Sequence, residues 1–203
     1  MKNFALMLKP LALSIALLAI FAAGQTVANA DPVTFSTTGS FNGGSNSITF
    51  TSGSGSTTIN FTGVTNSTVN ANPFTFASLG EFQTIVQGSG ATIAPNTTFT
   101  LNITQTVPGA GTGSLVGTIN GTITQNSSTG LVTFSVSSTT INGVTYSLTN
   151  NPLPLVPPST NNGVTSVQAQ ISTVPEPTTM LLLGTGLAGV AARIRKRRKD
   201  AQN

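Results

Sequence analysis

Between Asp31 and Pro177 the sequence has no lysine, arginine, histidine or cysteine, and its only carboxylates there are Asp31, Glu81 and Glu176. Tryptophan is missing from the whole 203-residue chain, which has a single tyrosine. Each absence removes a class of function. Without His, Lys or Cys there is no usual general base near neutral pH and no thiol nucleophile. A serine triad lacks its His, and a zinc site lacks its ligands. Glycoside hydrolysis needs two facing carboxyls about 5 to 9.5 Å apart, and only Glu81 falls inside the segment rather than at its ends. No D-x-[DN]-x-[DN]-G calcium loop is present. These gaps predict a protein that is not an enzyme and uses no cofactor or metal. Glu81, within Leu79-Gly80-Glu81-Phe82, reads as a solvated charge at a strand end.

The charge that does exist sits at the two ends. The formal net charge of +4 rests on eight Lys and Arg. Six of them, Arg193, Arg195, Lys196, Arg197, Arg198 and Lys199, cluster near the C-terminus, and Lys2 and Lys9 stand at the N-terminus. A nucleic-acid partner is therefore excluded for the segment between, which has no side chain to neutralise phosphate.

The N-terminus has the parts of an export signal. Lys2 and Lys9 form a positive region, residues 11–23 an apolar one, and Ala28-Asn29-Ala30 places small residues where a signal peptidase reads them. An apolar run of 13 residues is too short for a membrane-spanning helix, which needs roughly 20. Residues 1–30 are expected to be a signal peptide cleaved after Ala30, with Ala28 and Ala30 as its recognition site. The mature chain then begins at Asp31.

At the other end, Val174-Pro175-Glu176-Pro177 stands before an apolar run, 178–192, and the basic cluster follows. Those 15 residues make about 22 Å of helix at 1.5 Å per residue, and a snorkelling Arg193 extends the span to Ile194. The basic residues would hold the tail on the cytoplasmic side, leaving the N-terminal domain outside. The two prolines fix an extended stretch that a protease groove can grip, with Glu176 as a lone negative charge between them.

This order of elements, residues 173–199 as a whole, resembles the PEP-CTERM sorting signal of Gram-negative bacteria. The resemblance implies that an exosortase, a membrane-embedded transpeptidase-like enzyme, reads Pro175, Glu176 and Pro177. It also implies the inner membrane as a sorting intermediate and the cell surface or extracellular matrix as destination. Proteins of this kind are suspected glycoproteins. Asn60, Asn66, Asn96, Asn102, Asn120 and Asn126 each open an N-x-[ST] triplet, although so much Thr, Ser and Asn produces such triplets by composition alone.

Thr, Ser, Gly and Asn supply 83 of the 147 residues from 31 to 177. That bias suggests disorder, yet disordered chains are usually highly charged and poor in β-branched and aromatic residues. Here apolar residues recur with period two. Ile48 and Phe50 alternate with Ser and Thr, as do Ile59 and Phe61, then Phe99, Leu101 and Ile103. Leu115, Ile119 and Ile123 share a face with Gly117 and Gly121, and one long strand through Asn120-Gly121 is predicted because the phase never changes. Val132, Phe134 and Val136 follow the same rule, as do Tyr146 and Leu148. Asn142-Gly143 reads as a type I′ turn joining a strand over 132–138 to one over 144–148. Most of the nine Phe in this segment fall at alternating positions and are assigned to the core. Residues 150–162, with four prolines, are a loop or sheet-crossing connection, and 164–171 returns as a last strand.

The fold class predicted is all-β, a single β-sandwich or jelly-roll-like ectodomain over residues 31–172, followed by the sorting signal 173–199 and a tail 200–203. Three roles fit it. One is a non-enzymatic exported surface or matrix protein sorted through the PEP motif and associated with exopolysaccharide or biofilm. Another is a carbohydrate-binding or adhesive module, and the third a plain membrane-anchored envelope protein. The partners expected are the exosortase and export machinery, the inner membrane and extracellular polysaccharide.

Overall fold

Alternating apolar and hydroxylic side chains suit a strand with one face in a core, and the computed structural model shows this along nearly all of the segment. It describes residues 32–173, with 184–187 and 189 of the tail. The leader, with Ala28 and Ala30, lies outside the described residues. In chain order the first strands are β1 (Pro32–Phe41), β2 (Ser47–Ser52), β3 (Gly55–Thr62), β4 (Ser67–Asn70), β5 (Phe74–Gln87), β6 (Ala91–Thr92) and β7 (Thr97–Val107). There follow β8 (Gly111–Asn120), β9 (Thr122–Ile123), β10 (Leu131–Phe134), β11 (Ser138–Ile141), β12 (Val144–Leu148), β13 (Leu153–Pro154) and β14 (Val164–Thr173).

The strands form two six-stranded antiparallel sheets, ordered β13-β10-β8-β7-β1-β4 and β11-β12-β14-β5-β3-β2, with a short ribbon β6-β9. The fold is all-β, as the alternation predicts. The inner faces of the two sheets meet through aromatic rings. Phe99 of the first sheet packs against Phe61 and Phe82 of the second, at ring-centroid distances of 5.0 and 4.7 Å, and against Phe41 and Phe134 of its own. Phe35 meets Tyr146 edge-on across the sheets at 5.6 Å. Such tilted pairs contribute roughly 0.5–1.5 kcal/mol each beyond the area they bury. Gly39 makes the cluster possible, because a Cβ there would come within 2.6 Å of the Phe99 ring.

The outward faces are hydroxylic. Paired threonines bridge neighbouring strands, Thr34 to Thr68 at 2.9 Å, Thr49 to Thr58 at 2.8 Å and Thr140 to Thr145 at 3.0 Å. Asn142 and Gly143 hold φ of 45° and 81°, the two positive values a type I′ turn demands.

Three sequence expectations need correction. First, the strand expected to run through Asn120-Gly121 breaks there. Gly121 turns at φ 110°, with the Thr129–Gly130 backbone where a Cβ would stand, and residues 122–123 leave to pair with β6. Ile119 and Ile123 are both buried, so side-chain parity survives while the sheet changes. Second, the strand over 132–138 is two strands. β10 pairs with β8 and β13 in one sheet, and β11 forms the hairpin with β12 in the other. The Asn151 side chain closes β10 by bonding both the Phe134 amide and carbonyl, each at 2.9 Å, and Val136 in the crossing is 54% exposed. Third, Glu81 is exposed as expected but lies mid-strand in β5, opposite Thr62 and Ser166, rather than at an end.

A bulge in β5 decides which way its first residues face. Val167 pairs with Gly80 and Gln168 with Ser78, so Leu79 is an extra residue. Gly80 takes φ 127°, and the Ser78 hydroxyl clasps the kink through the Gly80 amide and carbonyl at 3.2 and 3.1 Å. Beyond the bulge Phe82 and Thr84 point inward; before it the facing residues are Thr75, Ala77 and Leu79. The extra residue therefore turns Phe74 and Phe76 outward.

Candidate sorting site at the end of the last strand

β14 carries the chain to the end of the domain. Its last residues pair with β12 and β5: Ser172 with Thr145 and Phe74, and Thr173 with Val144. The Thr173 hydroxyl donates to the Ala71 carbonyl at 2.7 Å, pinning the final residue to the segment before β5. The domain begins at the same place, since Pro32 pairs with Asn70, the residue next to Ala71. Both ends of the folded unit thus converge on residues 70–74.

The motif residues Pro175, Glu176 and Pro177 and the basic residues Arg193, Arg195, Lys196, Arg197, Arg198 and Lys199 lie outside the described residues. Of the apolar run expected to form a transmembrane helix, residues 184–187 and 189 are described and are helical. Among the described residues no helix is long and apolar enough to cross a membrane.

Within the domain the structure assembles no group of chemistry-bearing side chains around Glu81. Among the described residues no three of His, Cys, Asp or Glu come together. The one other titratable side chain from Pro32 to Thr173 is Tyr146, whose phenol is pushed far above its ordinary range by burial.

Sequence reasoning missed Phe74 and Phe76. They are 49% and 59% exposed and stack edge to face at 5.9 Å on the outer face of β5, opposite Ser172 and Gln170. Both share even parity with the buried Phe82, so strand parity alone would place them in the core. The signal that marks them is Gly80, a glycine inside a strand pattern, which indicates a bulge.

Residues 173–198 match the family described as the PEP-CTERM protein-sorting motif. The match begins on the residue where β14 ends and takes in Pro175, Glu176, Pro177 and all of the C-terminal basic cluster but Lys199. No curated protein and no solved structure matches the chain. The motif points to exosortase-dependent sorting of an exported, membrane-transiting protein.

Proposed function

We propose that the chain is a non-enzymatic surface or extracellular-matrix protein that an exosortase releases from the membrane into an exopolysaccharide or biofilm matrix. The observation that carries this is the meeting of strand and motif at Thr173, the last residue of β14 and the first residue of the sorting-motif match. Signal peptidase removes residues 1–30, at Ala28 and Ala30, and the exosortase then acts near Pro175, Glu176 and Pro177. The basic cluster keeps the tail cytoplasmic until that step. The outer faces suit a hydrated glycan matrix. Thr100, Asn102 and Thr104 on β7, Thr58 and Asn60 on β3, and Gln168 and Gln170 on β14 present neutral donors and acceptors with no cation among them.

The test is fractionation of the native host with and without its exosortase. The domain should reach the surface or matrix in the first strain and stay in the inner membrane in the second. An identical membrane fraction in both would leave a plain anchored envelope protein.

A further inference from the structure

We propose that Phe74 and Phe76 form an interfacial dock that seats the folded domain on the outer surface of the membrane while the sorting tail is still embedded. The proposal rests on the tail entering the membrane, as the exosortase reading requires.

Two independent features place this surface. The first is the bulge. Without the extra residue at Leu79, strand parity would turn both rings toward the core; Gly80 at φ 127° and the Ser78 clasp turn them to solvent as a touching pair. Bulges of this kind re-aim side chains. The second is the exit of the chain. Phe74 lies opposite Ser172 and Phe76 opposite Gln170, one and three residues before the strand ends at Thr173. Five steps of chain separate Thr173 from Thr178, where the apolar run begins. At 3.3–3.6 Å per residue they span at most about 18 Å. The bilayer boundary is thus within that distance of Thr173 whenever the run is inserted, and the aromatic pair stands beside Thr173 on the neighbouring strand.

The chemistry of the patch selects a lipid interface. The rings are apolar, and their neighbours Gln168, Gln170, Ser172 and Ser78 are neutral groups that remain hydrated among headgroups. The domain has no cationic side chain, so docking draws on apolar burial rather than on attraction to anionic lipid.

The chain has no Trp and its one Tyr is buried, so a single introduced indole reports cleanly. Leader-free precursor, residues 31–203, carrying Phe76→Trp, with Phe74→Trp as a second reporter, is reconstituted into phosphatidylcholine vesicles. Val116→Trp serves as the control, since Val116 is exposed on β8 in the other sheet. The indoles at positions 76 and 74 should emit to the blue of the control indole, be quenched by lipids brominated high on the acyl chain, and be several-fold less accessible to iodide. Neither added salt nor anionic lipid should change this. Precursor that floats with the vesicles while all three indoles are equally open to iodide overturns the dock and leaves the sorting reading intact. Precursor that does not float overturns the membrane tail and the dock together. Protection by soluble dextran in place of vesicles assigns the pair to a glycan and overturns the dock.

Discussion

The Tyr146 hydroxyl donates a 2.8 Å hydrogen bond to Gln105 Oε1, joining β12 of one sheet to β7 of the other inside the core. Both residues are fully buried, and Gln105 Nε2 donates onward to the Gly109 carbonyl at 2.9 Å. Among the described residues no buried side-chain nitrogen or oxygen lacks a partner. A domain with no cations thus makes its internal polar ties from amides and hydroxyls alone. Such a tie is worth most when one end is removed, because the other is stranded at roughly 1–3 kcal/mol.

Tyr146 should therefore contribute to the alkaline limit of stability. Burial raises its folded pKa above the unfolded value of about 10. The folded state therefore binds this proton more tightly, and the contribution is complete below about pH 10 and lost as pH rises beyond it. Urea midpoints of the wild type should fall above that pH. Tyr146→Phe should be less stable at neutral pH, because Gln105 Oε1 is left unpaired, and should lose the Tyr-linked part of the alkaline fall. Equal alkaline slopes in the two proteins would show that another process governs the high-pH limit.

Gly80 offers a test of the bulge. Its φ of 127° strains any side chain, and a Cβ would sit on the Phe61 ring and the Thr62 carbonyl. Gly43 also has positive φ, at 72°, but faces open space. Gly80→Ala should therefore cost about 3 kcal/mol, strain and overpacking together, whereas Gly43→Ala should cost about 1 kcal/mol. Denaturant titration of both variants measures the difference. Equal losses would mean that the core around Phe61 yields to the added methyl.

The sequence made some of this legible and hid the rest for a physical reason. Period-two patterning at Phe99, Leu101 and Ile103 and the Asn142-Gly143 turn are local signals, and the strands and turn stand where they point. The Pro175-Glu176-Pro177 stretch is equally local, and the sorting-motif match covers it. Side-chain parity, however, does not report which sheet a strand joins. It continued through Gly121 although the chain left one sheet there, and it continued past Phe134 into a crossing. The same blindness holds for Phe74 and Phe76, which parity alone would place with Phe82, because one extra residue inverts a face without changing the local pattern. Glycines at 80 and 121 mark two of these failures. Each allows a backbone conformation that strand periodicity assumes away.

Glu176 provides the sharpest test of the sorting motif. It stands between Pro175 and Pro177, only three residues beyond the pinned Thr173, so the folded domain restricts where its carboxylate can be presented. If the enzyme reads charge, Glu176→Gln removes the recognised feature while side-chain volume is almost unchanged. Processing should fall at least tenfold, and precursor with its basic tail should accumulate in the inner membrane. If the two prolines merely space the domain from its anchor, Gln serves as well as Glu and processing is unchanged. Mass spectrometry of the mature C-terminus in both proteins separates the outcomes. Tails ending at Asn203 in wild type and variant alike would show that no cleavage occurs and that residues 173–198 act only as an anchor.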